Sequence, residues 1–327
     1  MIISVCGLGF TGSGAVFDLL KEHTCIQTLT EEEFGVIYRP DGLLDLEYHL
    51  TKSRTRYMES DIAISRFIKY VNYLFREKAG YSKEQVKKIR TLTEEFVTSL
   101  CQTTWNGYWG YDGQDLSLLE KIKWKINSHF CPKKLNRKMY LSISPDGFNE
   151  KARFFLRSLL SILGYDGHSC LLLNQACSGD NPEASLRFFD ACKAIIVKKD
   201  PRDLYVLCKK EVHSQCPWVP TDNVDDFISY VKTIYNFKTN ELVVNFEDLI
   251  YDYSKTVYTI QTYCGIGSHT HTSKNKYFDP SVSIYNTQLF RKYPELESDI
   301  LKIERELKEY LYDYSKVQAL NNFKESF

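Results

Sequence analysis

Short apolar runs recur along the chain and end at glycine, proline or charged residues. The first run, Ile2–Cys6, ends at Gly7 and is followed by a helical stripe that includes Val16 and Leu20. An apolar run that leads through a glycine turn into a helix predicts a strand buried on both faces, as in a parallel sheet. Further runs predict strands at Met139–Ile143, Leu171–Leu173, Ala194–Val197 and Leu242–Phe246.

Helical stripes separate these runs. Periodic apolar residues predict helices in four segments, 60–101, 152–163, 224–235 and 296–311, and Ser82 and Gln85 have the spacing of a capping box. The stretch 102–137 is predicted to be irregular, aromatic and basic. Strands that alternate with helices predict an α/β fold, a three-layer sandwich around a central parallel sheet. We expect one domain over 1–327, with 50–137 as a helical and aromatic insertion or lid.

The composition fits a folded protein without a dominant charge. Of the 327 residues, 43% are hydrophobic, and 42 basic residues balance 42 acidic ones. This combination excludes intrinsic disorder and gives no overall field that would recruit nucleic acid or an anionic membrane. The apolar runs are far shorter than the roughly 20 residues of a membrane span, and no signal peptide is evident. We therefore expect a cytoplasmic protein with no integral membrane span and no nucleic-acid partner.

The ten cysteines are scattered, and none forms a Cys-x-x-Cys pair. A zinc site or a disulfide framework would need clustered cysteines. We expect reduced thiols in the core and no metal site.

The segment Gly7–Gly14 reads Gly-Leu-Gly-Phe-Thr-Gly-Ser-Gly. As Gly-x-Gly-x-x-Gly it fits a dinucleotide fingerprint, with Glu32 in the position of a ribose-binding acid. As a P-loop it has Ser13 and Gly14 in place of the lysine and the magnesium-binding hydroxyl, which disfavours ATP hydrolysis by a kinase-like enzyme. Both interpretations use backbone N–H groups at a helix N-terminus to bind phosphate. The turn alone does not decide between NAD and another phosphorylated ligand.

A second segment places cations at the end of a predicted strand. Ala194–Val197 leads into Lys-Lys-Asp-Pro-Arg-Asp, where Pro201 favours the start of a helix. Ligands of open α/β sheets bind at the carboxyl ends of strands. Lys199 and Arg202 are therefore candidates to bind a second phosphate.

Four segments together resemble the sulfotransferase family. The strand with Lys199–Asp203 is similar to its 3′-phosphate-binding segment, and Phe10–Gly14 is similar to its 5′-phosphosulfate turn. Leu242–Leu249 resembles the family's Tyr-Glu-Asp-Leu strand, and Phe278–Asn286 resembles the segment that closes over the donor nucleotide. The similar segments follow the family's order along the chain.

The chain departs from the family pattern at three points. It has no lysine at Phe10 or Thr11, Lys199 stands where the family has arginine, and Leu207 stands where it has serine.

The resemblance implies a P-loop NTPase-like fold and a bacterial, carbohydrate-type sulfotransferase. Such an enzyme transfers a sulfuryl group from 3′-phosphoadenosine 5′-phosphosulfate (PAPS) to a hydroxyl or amine without a metal. By this resemblance the 5′-phosphosulfate is held by the turn residues Phe10, Thr11, Gly12, Ser13, Gly14 and Ala15. Lys199 and Arg202 would hold the 3′-phosphate, and Ser283 and Asn286 would close over the nucleotide.

A general base must accept the proton of the acceptor. Members of the resembled family use a histidine or a glutamate after the first helix. Glu32 has the best-matching spacing in Glu-Glu-Glu-Phe, and Glu33 is the second candidate. His49 and His213 are alternatives.

The acceptor is indicated by two segments. Residues 105–111 combine aromatic side chains with amide and glycine spacers, which suits the faces of sugars. Residues 121–138 contain seven basic residues and no acidic one, which suits an anionic glycan. Both favour a glycan over a small phenol. Two alternatives remain open: an NAD(P)-dependent oxidoreductase that uses Gly7, Gly9 and Gly12, and a non-catalytic protein that binds a nucleotide or a glycan.

Overall fold

Two sheets are formed by the strands of the computed structural model, which describes residues 1–30, 32–110, 112, 116–213 and 216–317. The strands are β1 (Ile2–Gly7), β2 (Ile26–Thr28), β3 (Thr103–Gly107), β4 (Arg137–Leu141), β5 (Cys170–Asn174), β6 (Cys192–Lys198) and β7 (Leu242–Asn245). Glu31 and Tyr111, which belong to segments quoted above, lie outside the described residues.

Helices fill about half of the remaining described chain. They are α1 (Ser13–Lys21), α2 (Leu43–Thr51), α3 (Arg56–Leu74), α4 (Lys83–Ser99), α5 (Leu118–Phe130), α6 (Phe148–Leu163), α7 (Pro182–Leu186), α8 (Pro201–Val206), α9 (Val224–Ile234), α10 (Phe246–Tyr251), α11 (Tyr253–Cys264), α12 (Pro280–Ser283) and α13 (Glu297–Glu306). The capping box at Ser82 and Gln85 is present at the start of α4, as predicted.

The chain divides into two compact units. The first consists of Met1–Gly35 with Gly164–Phe327 and holds the larger sheet. The second, Val36–Leu163, holds α2 to α6 and the strands β3 and β4. The segment 50–137, expected as an insertion, falls inside the second unit.

The larger sheet has five parallel strands in the order β2-β5-β1-β6-β7. In its centre, Ile2 of β1 pairs with Leu171 of β5 and with Cys192 of β6. After β1 the chain continues to β2 at one edge of the sheet, and after β6 it continues to β7 at the other edge. The connections therefore reverse direction between the neighbouring strands β1 and β6. Ligands of open α/β sheets bind outside the carboxyl ends of strands at such a reversal. The α/β class predicted from the sequence, with helices flanking a central parallel sheet, is confirmed.

Both faces of β1 are buried, which explains its continuous apolar run. Ile3 and Val5 pack on one face against Val16 and Leu20 of α1. Cys6 lies on the other face, in a small cluster with Cys177, Ala194 and Ile196. The sheet therefore fixes the position of the glycine turn that follows β1.

The second unit has its own core between α3, α4 and α6. Phe96 stacks on Phe155 with ring centroids 4.7 Å apart, and Phe67 meets both rings edge-on. The antiparallel pair β3–β4 lies beside this core, where the buried Asp61 accepts a hydrogen bond from the Tyr140 backbone and two from Arg137.

Several elements differ from the prediction. The stretch 102–137, expected to be irregular, contains β3 and α5, neither of which has a buried side chain. The three-residue strand β2 was not predicted, because it has no fully buried residue and no apolar run. Among the described residues, no helix has both the length and the apolar character needed to cross a bilayer.

Candidate functional site

The turn between β1 and α1 presents the N-terminus of a helix at the edge of the sheet. Gly12 lies immediately before α1 with φ of 94°, a left-handed conformation that favours glycine. A Cβ atom at Gly12 would overlap the ring of Phe246. Among the described residues, no side chain caps α1, and its first turn has no acidic residue. The partial positive charge of the helix N-terminus is thus suited to an anion.

Side chains on both sides hold the turn in shape. Thr11 is buried, and its Oγ1 accepts a hydrogen bond from the Leu8 N–H. Gln175, which follows β5, accepts from the Gly7 N–H at 3.3 Å and donates to Ser13 Oγ at 3.3 Å. Thr11 therefore supports the turn itself, and Gln175 is a positioning residue that the sequence analysis missed.

Phe10, Gly14 and Ala15 also belong to the turn between β1 and α1 or to the start of α1. Phe10 has φ of 52°, and its ring stacks on Trp218 with centroids 5.6 Å apart. Gly14 is exposed, and apart from its chain neighbours and the backbone of α1, no described atom would lie within 4 Å of a Cβ atom there. The Ala15 N–H bonds to the Gly12 carbonyl. The predicted residues of this turn are thus neighbours, and their role in donor binding remains a prediction.

Lys199 follows β6 and is buried, with 3% of its surface exposed. Its Nζ donates to the backbone carbonyl of Asn286 at 2.7 Å and lies 4.0 Å from the centroid of the Phe246 ring. Burial lowers the pKa of Lys199, and the neighbouring carboxylate of Glu247 opposes that effect. Two predicted residues, Lys199 and Asn286, therefore meet, with Ser283 half-buried in the preceding helix α12.

Arg202 in α8 is already hydrogen-bonded within the chain. Its guanidinium donates to both carboxylate oxygens of Asp200, at 3.0 and 2.7 Å, and to Glu304 at 2.8 Å. It also donates to the Tyr312 carbonyl at 3.2 Å. Burial opposes ionisation, but Asp200 and Glu304 raise the pKa of Arg202 above its ordinary value. To bind the 3′-phosphate as predicted, Arg202 would have to share or exchange at least one of these partners.

Two buried carboxyl groups lie beside the cations and were not predicted to belong to the site. Asp203 accepts from the Gln288 N–H and the Tyr314 hydroxyl, and burial raises its pKa to about 6. Glu247 in α10 accepts from the Asp200 N–H through Oε1, while its Oε2 has no hydrogen-bond partner among the described residues. Burial raises the pKa of Glu247 to about 8, which favours the protonated form of this side chain in the fold.

The glycine turn and the cation segment lie side by side. Gly7 at the end of β1 pairs with Val197 of β6, two residues before Lys199. The Phe246 ring touches both segments, at Gly12 and at Lys199. Both lie at the carboxyl edge of the sheet, where its connections reverse direction.

The candidate base lies near the same edge. Glu32 is exposed after β2, and its N–H bonds to Thr30 Oγ1. Glu33 is also exposed, and the next N–H, that of Phe34, donates to the Asn174 carbonyl at the end of β5. Of the alternative bases, His213 is exposed in the first unit and His49 belongs to α2 of the second.

The strand order distinguishes this sheet from the dinucleotide-binding arrangement. That arrangement places the second strand directly beside the first. Here β5 separates β2 from β1, so Glu32 does not follow a strand adjacent to the glycine turn. This geometry disfavours the NAD(P) interpretation. The described residues also contain no group of three or more histidine, cysteine, aspartate or glutamate side chains that could hold a metal ion.

No family model and no curated protein matches the chain. Among solved structures, the sulfotransferase domain of the Synechococcus olefin synthase is similar at 14% identity over 95% of this chain and 94% of that one, with a TM-score of 0.37. The sulfotransferase domain of the curacin biosynthetic pathway gives 11% identity, 94% and 97% coverage and a TM-score of 0.37. A sulfotransferase from Mycobacterium tuberculosis gives 12% identity over 89% of this chain and 76% of that one, with a TM-score of 0.31. Values this low do not assign an activity.

Proposed function

We propose that the chain transfers a sulfuryl group from PAPS to a hydroxyl or amine of an acceptor. The observation that carries the proposal is the adjacency of two anion-binding features at one sheet edge. The uncapped N-terminus of α1 and the Lys199 ammonium are linked through the Phe246 ring. A nucleotide that carries a 5′-phosphosulfate and a 3′-phosphate has two anionic groups to match them.

The fit to this donor is closer at the 5′ side than at the 3′ side. The turn offers backbone N–H groups, and Gly14 leaves open space beside them. On the 3′ side, the buried Lys199 has only a backbone carbonyl, that of Asn286, as its hydrogen-bond acceptor among the described residues, whereas Arg202 is paired with Asp200 and Glu304. Sulfuryl transfer depends mainly on positioning and electrostatic stabilisation, as phosphoryl transfer does. We therefore assign the donor to the α1 turn first and to Lys199 second.

Glu32 is the proposed general base. It is an exposed acidic residue near the carboxyl edge of the sheet, the edge at which the glycine turn after β1 also lies. A base contributes about 100-fold or more to such a reaction. We expect Glu32→Gln to lower the transfer of labelled sulfate from PAPS by about 100-fold while the affinity for adenosine 3′,5′-bisphosphate is kept. The exposed Glu297 in α13 supplies a matched control, Glu297→Gln, that should retain full turnover. Unchanged turnover in Glu32→Gln removes Glu32 from this role, and a loss in Glu33→Gln assigns the role to Glu33.

A carbohydrate hydroxyl is the proposed acceptor. Support comes from Trp105 in β3, whose ring is exposed, and from the neighbouring Tyr108, because amphipathic rings suit the faces of sugars. A panel of glycans and simple phenols tests this assignment. Transfer to phenols with none to glycans contradicts it, and absence of transfer to any acceptor favours a non-catalytic protein.

A further inference from the structure

Helix α5 in the second unit is amphipathic, yet none of its residues is buried. It begins after Ser117, whose backbone N–H and hydroxyl both bond to the Glu120 carboxylate. A helix of thirteen residues is about 20 Å long. It is therefore shorter than the roughly 30 Å hydrocarbon core of a bilayer.

The apolar side chains of α5 form one stripe. Successive residues in a helix turn by about 100°, which places Leu118, Leu119, Ile122, Ile126 and Phe130 within an arc of about 120°. These five side chains are between 53% and 81% exposed. The half-buried residues Trp124, Asn127 and Ser128 lie on the opposite side, where Trp124 meets Tyr108 edge-on. The apolar stripe therefore points away from the unit and into solvent.

Lysines border this stripe on both sides. By the same helical geometry, Lys123 lies at one edge of the arc, and Lys125 and Lys121 lie at the other. Lys133 and Lys134 follow shortly after the helix. None of these five lysines forms an ion pair within the part of the chain that the structure describes, whereas Arg137 and Lys138 are paired with acids. The single acid of α5, Glu120, lies on the side opposite the stripe.

We propose that α5 binds the surface of an anionic lipid bilayer with its axis in the membrane plane. The five apolar side chains would enter the headgroup and acyl boundary, and the flanking lysines would meet anionic headgroups. Charge complementarity selects this occupant. A soluble polyanion would engage the lysines but leave the apolar stripe in water. An apolar protein partner would cover the stripe but leave the bordering lysines without an anionic partner.

Flotation of the full chain with lipid vesicles tests the proposal. We expect binding to vesicles of phosphatidylcholine mixed with phosphatidylglycerol and much weaker binding to phosphatidylcholine alone. Each lysine near an anionic surface contributes about fivefold to partitioning, so Lys121→Gln/Lys123→Gln/Lys125→Gln should lose about 100-fold. The matched control Lys78→Gln/Lys83→Gln/Lys87→Gln changes three exposed lysines of the same unit and should bind as the unaltered chain does.

A second variant tests the apolar stripe. Ile122→Gln/Ile126→Gln should lose about 100-fold in partitioning, since each isoleucine gives up the gain of burial in the membrane. Thermal melts should be unchanged for all variants in α5, because no side chain of this helix is buried. Absence of binding to either kind of vesicle overturns the proposal. So does equal binding to both vesicles, binding that the lysine variant retains, or self-association through α5 without vesicle binding.

Discussion

Glu247 is a fully buried carboxyl group whose pKa the native fold raises. Burial is the main cause of the rise from 4.5 to about 8; the nearby acids Asp200 and Asp203 add to it, and the charge of Lys199 opposes it. Between pH 5 and pH 8 the native protein therefore holds one proton that the unfolded chain has released. Stability must fall with rising pH over this window, because the native state binds the extra proton.

The magnitude follows from the size of the pKa shift. One proton difference changes the free energy of unfolding by about 1.4 kcal/mol per pH unit. Across the three units from pH 5 to pH 8, Glu247 alone lowers stability by about 4 kcal/mol. Glu247→Gln keeps an acceptor oxygen for the Asp200 N–H and cannot ionise. We expect this variant to lose that part of the pH dependence and to gain on the unaltered protein as the pH rises.

Urea unfolding at a series of pH values, followed by circular dichroism, measures this difference. The free energies of the unaltered protein and Glu247→Gln should converge near pH 5 and separate progressively towards pH 8. Glu297→Gln, which changes an exposed carboxylate of the same unit, should run parallel to the unaltered protein. Parallel profiles for Glu247→Gln as well would refute the conclusion that Glu247 is neutral in the fold.

Two further predictions concern the same unit. Gly12→Ala should destabilise the protein by at least about 2 kcal/mol in urea unfolding, because alanine at φ of 94° is strained and its Cβ would overlap a ring. Gly14→Ala is its control and should be neutral or stabilising, since that position is open; equal losses would contradict the argument from φ. Tyr314→Phe removes a 2.6 Å hydrogen bond to Asp203, whose pKa is about 6. It should cost about 2 kcal/mol above pH 6 and less below, as hydrogen bonds to charged groups are stronger; a cost independent of pH would contradict it.

The central strands could be predicted because burial on both faces leaves a direct signal in the sequence. β1 and the segment Ala194–Val197 of β6 are buried apolar runs, and each is followed by a glycine or a polar residue. Helix α4 could also be predicted, because its buried residues follow each other at helical spacing. In contrast, α5 has no buried residue, and lysines alternate with its apolar residues along the sequence. Its segment was therefore predicted to be irregular.

The candidate site was predicted only in part, because its cations are held by distant residues. The segments that contain Gly12 and Lys199 were identified from local motifs, and the sheet places them together. The partners of Arg202 lie about 100 residues away, at Glu304 and Tyr312, and no local pattern indicates these contacts. Gln175 likewise reaches the turn from 168 residues away. Such contacts depend on the tertiary fold rather than on the spacing of residues.

The central claim is that the N-terminus of α1 and Lys199 bind the same nucleotide. Calorimetric titration with adenosine 3′,5′-bisphosphate and with adenosine 5′-monophosphate tests this claim. The account predicts that both bind, and that the bisphosphate binds at least about tenfold more tightly, since a charge-assisted contact to the 3′-phosphate adds to binding. Equal affinity for the two nucleotides, or binding of NAD with neither of them, would contradict it.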